Sequence, residues 1–284
     1  MAHNPAPPTW SGDRGARWRS GLAGVEGTFA PVDPPLIDAL RLEGALRIAE
    51  IGCGGGGTTL EIARRADAGS LVHGFDISPD LLAAARERTA AERGEPAAAV
   101  RFSRSNVESD PPPEEPYDRL VSRFGILFYE DPPRAFGRMT RWLNPGGRLA
   151  FAVWGPPADN PWASALRETA AQHLELAPPD PEAPGPFRYA DDSLLLGLLD
   201  RAGFRDLEQR DWRGTIPVGG GLPAEGAADF VLGSFSIGEA VGRADEATRR
   251  AVRRGLARRF SEDLVDGVVR MAARVRLVTG RGPG

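Results

Sequence analysis

The residues best suited to chemistry are concentrated in Glu50-Ile-Gly-Cys-Gly-Gly-Gly-Gly-Thr-Thr59. An apolar run enters a glycine-rich turn there, and a helical pattern follows. Glycines let a ligand approach the backbone, and a helix N-terminus offers unpaired N–H groups. Gly52, Gly54 and Gly57 satisfy G-x-G-x-x-G, which raises a nicotinamide or flavin dinucleotide as one ligand. In a run of four glycines almost any spacing fits, so the match discriminates little. Two carboxylates bear on the choice. Glu50 stands two residues before the first glycine, where a pyrophosphate would meet an unhelpful charge and a positive amino group a favourable one. Asp76 ends the next apolar run, 24 residues past Gly52. A carboxylate at that place accepts hydrogen bonds from ribose hydroxyls, which suits either kind of nucleoside cofactor.

These residues need elements to position them. Leu46–Ile51, Ser70–Ile77, Ala99–Ser105, Tyr117–Phe124 and Arg148–Trp154 read as buried strands. Helical patterns separate several of them: Gly57–Ala66, a run opened by Ser78 as N-cap and Pro79 as first helical residue, and Asp131–Leu143, ended by Asn144-Pro-Gly-Gly147. Strands alternating with helices in this way imply βαβ units and a parallel sheet covered on both faces. Beyond Trp154 the pattern predicts helices over Pro161–Leu176, Asp191–Phe204, Ala224–Phe235 and Asp245–Phe260. A strand-like stretch reaches Val218, and VRMAARVRLVTG supplies a last strand. Residues 1 to about 35 are Pro/Gly-rich and read as an irregular arm, with an amphipathic helix near Leu36–Leu42.

E-x-G-x-G-x-G, D-I-S, D-R-L-V-S-R-F-G and L-N-P-G-G-R-L occur in order over Leu46–Trp154. This resembles a class I S-adenosylmethionine-dependent methyltransferase. The Trp10…Trp18 stretch and Asn160-Pro-Trp162 are similar to a bacterial small-molecule subfamily of it. The resemblance implies a Rossmann-like, doubly wound α/β fold with a seven-stranded, mostly parallel sheet and an antiparallel last strand. It implies S-adenosylmethionine as cofactor and S-adenosylhomocysteine as product. Gly52, Cys53, Gly54 and Gly56 would line the methionine moiety and ribose, with Thr58 beside them and Glu50 near the amino group. Asp76 would hold the ribose hydroxyls, and Ile77 would lie against the adenine. Asn106 and Val107 stand where the family often has an acidic and a small residue; Asn106 can still accept from the adenine amino group. Ser122 and Arg123 would face the methyl donor, and Trp18 would close over the cofactor from the arm. The chain divides accordingly into an arm or lid (1–40), a cofactor-binding core (41–158), a substrate cover (159–190) and a C-terminal part of the core (191–284) with a helical insertion at about 219–262.

Methyl transfer from a sulfonium is an in-line displacement, in which the protein supplies proximity, alignment and exclusion of water. The acceptor pocket is expected beyond the carboxyl ends of the strands, walled by Phe124, Phe128, Tyr129, Trp154, Trp162, Phe187 and Tyr189. Such walls suit a small, partly hydrophobic acceptor, methylated on O or N in bacterial secondary metabolism. His173, in the helix after the fifth strand, is the candidate general base against the plainer reading of a surface histidine. Cys53 reads as a small buried filler and His73 as a satisfied core histidine. Arg123 is balanced between ligand contact and structural ion pair. A fold relative that uses the cofactor without methyl transfer stays open, as does an NAD(P)-dependent oxidoreductase. A Tyr-x-x-x-Lys oxidoreductase site is impossible, because the chain has no lysine.

Composition sets the outer bounds. The 284 residues carry a formal net charge of −4 and 41% hydrophobic residues, a globular balance without the basic footprint of a nucleic-acid binder. The 35 glycines, 26 prolines and all-arginine basic set read as genome bias. One cysteine and three scattered histidines argue against disulfides and a metal site. With no membrane-length apolar run and no signal-like N-terminus, the expectation is a cytoplasmic protein whose partner is a small molecule.

Overall fold

The computed structural model describes residues 10–92 and 96–284. The Pro/Gly-rich arm is helical, not irregular: α1 (Asp13–Ser20), α2 (Leu22–Phe29) and, after a 3-10 turn, α3 (Asp33–Leu40). Helices of eight residues are marginal in isolation. Tertiary packing holds these, with Val25, Phe29, Leu36, Ile37 and Leu40 buried. Close approach explains the glycines of α2. A Cβ on Gly27 would stand 2.6 Å from the Cα of Gly220. Beside it the Gly219 N–H donates to Thr28 Oγ1 at 2.9 Å, a partner 191 residues away in sequence.

The core then alternates as its sequence pattern predicts. β1 (Arg47–Ile51), α4 (Gly57–Arg65), β2 (Leu71–Asp76), α5 (Pro79–Ala91), β3 (Ala99–Arg104), β4 (Tyr117–Arg123), α6 (Pro132–Met139) and β5 (Leu143–Trp154) follow in order. Ser78 caps α5 by accepting from the Leu81 N–H, and Asp131 caps α6 by accepting from the Arg134 N–H. α6 is shorter than the pattern suggests, and β5 starts earlier, at Leu143. A register shift in its pairing with β4 absorbs Asn144–Gly147, where Gly146 is left-handed at φ +70°.

The second half adds α7 (Pro161–Ala171), α8 (Asp192–Ala202), β6 (Arg205–Pro217), α9 (Ala224–Ser234), α10 (Ser236–Gly242), α11 (Glu246–Ser261), β7 (Leu264–Val265) and β8 (Val268–Arg281). α8 ends on left-handed Gly203 at φ +101°, as its sequence signals. α10 is an element the sequence pattern does not announce. The sheet order is β3-β2-β1-β4-β5-β8-β6, with β7 pairing β8 as an eighth, two-residue strand. The first five strands of that order are mutually parallel, and β8 lies antiparallel between β5 and β6. This is the Rossmann-like sheet with an antiparallel last strand. Strand β1 and the Leu149–Trp154 half of β5 are nearly wholly buried, so both faces are covered there. Strand order reverses at β1, between β2 and β4. The crevice outside the carboxyl ends of those strands is where ligands bind in open α/β sheets.

Candidate active site

At that crevice the glycine loop is wired to β2. The Gly52 and Cys53 N–H groups both donate to the Phe75 carbonyl, at 2.8 and 3.0 Å. Asp76 Oδ2 accepts from the Gly54 N–H and Oδ1 from the Ser78 N–H, each at 2.8 Å. One carboxylate thereby joins the glycine loop to the start of α5 and keeps a lone pair on each oxygen for a ligand hydroxyl. Gly52, Gly54 and Gly56 are left-handed, with φ from +53° to +77°. The Cα of Gly125 presses on Gly52, 2.8 Å from where a Cβ would stand, whereas nothing lies within 4 Å of a Cβ on Gly54. The loop is therefore packed on one side and open on the other.

The open side faces a cavity of about 620 Å³, a size typical of small-molecule sites. Its floor includes Glu50, Gly52, Cys53, Gly54, Asp76 and Ile77; Asn106, Val107 and Arg123 stand at its sides. The arm closes it through Trp10, Arg14, Trp18, Leu22, Glu26 and Phe29. Trp18 is thus brought over the loop. Phe124, Phe128 and Tyr129 line the cavity too, and Trp10 sits edge-on to both Trp18 and Phe128, at 5.0 and 4.9 Å between centroids.

Not every expected residue reaches it. Gly56 lies under Phe102 and Ala85. Thr58 donates to Asp33 at 2.8 Å, and Ser122 is buried, donating to the Ile51 carbonyl at 2.7 Å. These three brace the loop and do not line the cavity. Trp154, Trp162 and Tyr189 are core residues. Trp154 stacks on the back of Phe124 at 4.3 Å, so it supports the wall from behind. Phe187 packs on Trp162, and the loop after α7 reaches the cavity through Pro184 instead. α7 stops at Ala171, which leaves His173 exposed in the following turn and outside the cavity lining. The general-base assignment therefore lacks a geometric basis. His73 is held between the Tyr117 hydroxyl and Ser103 Oγ, both at 2.8 Å, and burial lowers it to about 4. Burial, then the nearby Asp76 and Glu50, push the Cys53 thiol well up, so it is no nucleophile.

The arm also supplies charges that no motif announces. Arg123, at the end of β4, donates to Asp33 Oδ2 and Glu26 Oε2, both at 2.8 Å. Burial opposes its charge, but Asp33 and Glu26 outweigh burial and raise its pKa. Asp33 is itself pushed up by burial against the pull of Arg123. Glu50, wholly buried, accepts from the Thr59 hydroxyl, and burial raises it to about 8 against Thr59 and Arg123. Glu26 Oε1 lies 3.4 Å from the Gly57 N–H, the first residue of α4. The helix end that would cradle a pyrophosphate therefore faces a carboxylate. Glu26 is also paired with Arg88 at 3.4 Å, and burial keeps Glu50 largely as the neutral acid, so the group that opposes a phosphate at the start of α4 is the Glu26 carboxylate.

The fold and this site define a crevice outside the carboxyl ends of β1, β2 and β4, lined by a glycine loop and by Asp76. Residues 48–147 match the family model described as a methyltransferase domain. It is 34% identical over 164 residues to the biotin biosynthesis bifunctional protein BioCD of Bordetella avium, covering 58% of this chain and 32% of that protein. It is 31% identical over 130 residues to the aklanonic acid methyltransferase DauC of Streptomyces sp. strain C5, covering 45% and 56%. The chain spans about a third and about half of the length of these two relatives. In fold it is similar to the YcgJ protein of Bacillus subtilis, with a TM-score of 0.55 at 17% identity over 90% of this chain and 99% of that one. No helix among the described residues is long and apolar enough to cross a membrane. No group of three or more His, Cys, Asp or Glu among them could hold a metal ion.

Proposed function

We propose that this protein transfers a methyl group from S-adenosylmethionine to a small, partly hydrophobic acceptor, on oxygen or nitrogen. The observation that carries the cofactor half is the carboxylate of Glu26 at the N-terminus of α4, beside Glu50 and Asp76 at the open glycine loop. Asp76 would take the ribose hydroxyls, Asn106 and Val107 the adenine edge, and the glycine loop the methionine end. Asn106 Oδ1 already accepts from the Glu108 N–H at 2.9 Å and retains a lone pair for the adenine amino group. The cofactor brings the activated methyl group. The chain's own residues bind it, hold the acceptor in line and exclude water, and such positioning is worth roughly 7–11 kcal/mol of barrier. No histidine among the described residues lines the cavity. That favours an acceptor acidic enough to ionise by itself, or a neutral amine.

Secondary metabolism as the setting rests on the likeness to DauC, whose name gives aklanonic acid as its substrate. The test is calorimetric titration with S-adenosylhomocysteine, NAD and NADP, followed by transfer of labelled methyl from S-adenosylmethionine to a panel of phenols and amines. Binding of S-adenosylhomocysteine alone, with label recovered on an acceptor, is expected. Binding of a nicotinamide nucleotide alone would make the protein an oxidoreductase. Cofactor binding with no label transferred to any acceptor would favour a relative that keeps the cofactor without methyl transfer.

A further inference from the structure

Glu50, at the end of β1, lines the cavity floor and is 2% exposed. Its carboxyl accepts from the Thr59 hydroxyl of α4. Its strand neighbours, Gly74 on β2 and Val121 on β4, carry no charge. Arg123 acts on it from the end of β4, and Asp33 and Glu26 act on it from the arm. Cys53, in the glycine loop, keeps its thiol proton. Around this residue the charges balance without it. Arg123 pairs with Asp33 and Glu26, each at 2.8 Å, and Arg88 of α5 reaches the other Glu26 oxygen at 3.4 Å. Two carboxylates therefore face two guanidiniums. An ionised Glu50 would be a third buried carboxylate with no cation of its own, and a buried charge without a partner is costly. Burial accordingly raises Glu50 to about 8 against the pull of Thr59 and Arg123, so near neutral pH it holds its proton.

From this arrangement we infer that Glu50 gives up its proton when the amino end of the cofactor enters, so that binding exchanges a proton for an ammonium at the cavity floor. The inference rests on S-adenosylmethionine being the ligand and deepens that reading. The ammonium supplies the third positive charge that the buried group lacks. The Glu50 O–H bond breaks, the proton passes to buffer, and the carboxylate left behind faces the ammonium. Linkage fixes the sign. A ligand that favours the ionised form binds more tightly as pH rises toward the value of the free site. A ligand that set a carboxylate or a phosphate there would favour the protonated form and take up a proton instead. The proton balance of binding thus reports which charge of the ligand lies at the glycine loop.

The test is calorimetric titration of the full chain with S-adenosylhomocysteine in phosphate and in imidazole buffer, which differ in heat of ionisation. Below about pH 7 the ligand's own amine is protonated, free or bound. At about pH 7 more than about half a proton should be released per ligand bound, and affinity should rise at least about threefold from pH 6 to 7. Glu50→Gln copies the neutral acid and should bind with almost no proton exchange and a flat pH profile over that range. The analogue of S-adenosylhomocysteine that lacks the amino group should bind the unmodified protein without releasing a proton, which keeps the question decidable if the glutamine variant does not fold. Proton uptake, no exchange, a release that survives Glu50→Gln, or an equal release with the deamino analogue would each overturn the inference while leaving the cofactor reading intact. Failure of the unmodified protein to bind S-adenosylhomocysteine would instead overturn the methyl-transfer reading, and this inference with it.

Discussion

Glu50→Gln isolates the proton held at the floor of the site. Glu50 moves from an ordinary carboxyl value of 4.5 to about 8 because burial disfavours its anion. The folded protein therefore holds a proton that the unfolded chain releases between those two values. Stability then falls as pH rises through that window, by about 1.4 kcal/mol per pH unit. His73 runs the other way, since burial lowers it from 6.5 to about 4 and the unfolded chain binds the extra proton there. The two nearly cancel below pH 6.5. Between pH 6.5 and 8 His73 no longer offsets it, and the part of the loss due to Glu50 is about 2 kcal/mol. A glutamine copies the neutral acid in size and still accepts from Thr59. Urea unfolding at pH 6.5 and 8 should show unmodified protein losing about 2 kcal/mol relative to the variant. Parallel curves for the two proteins over that interval would refute a protonated Glu50 in the folded state.

Asp76→Ala removes the acceptor of two loop N–H groups as well as the proposed ribose contacts, so S-adenosylhomocysteine affinity should fall at least about tenfold; unchanged affinity by calorimetry would reject that role. Arg123→Gln leaves Glu26 and Asp33 facing each other at the arm without their shared cation. A loss of about 3–5 kcal/mol in chemical unfolding is expected, and a loss below about 1 kcal/mol would mean the arm is held otherwise. Gly125→Ala sets a methyl 2.7 Å from the Ile51 carbonyl oxygen and 2.9 Å from the Gly52 Cα, and should destabilise the fold by about 1–3 kcal/mol. Gly54→Ala points into open space, so it should cost only about 1–2 kcal/mol of backbone strain yet weaken S-adenosylhomocysteine binding more than tenfold. The reverse ranking of the two glycine variants in binding would show that the ligand lies elsewhere.

The sequence by itself determined the alternating core and its ligand-binding end. The buried strand into Glu50–Gly57, the Ser78-Pro79 helix start and the Gly203 stop are local signals, because caps, turns and burial periodicity act over a few residues. Asp76 was legible for the same reason, since a strand end next to a glycine loop has few possible uses. The walls of the acceptor end were not legible. Trp154 and Tyr189 look like wall residues in a list of aromatics, but their strand and loop turn them into the core. Glu26 and Asp33 carry no motif, and their roles arise only when α2 docks on the glycine turn at Val218–Gly220 and α3 on the sheet, bringing both carboxylates to Arg123. His173 falls in the turn after α7, which ends at Ala171, and stands exposed outside the cavity lining. Which side chains face a ligand is set by long-range packing between segments such as Thr28 and Gly219, and no local pattern of residues encodes that contact.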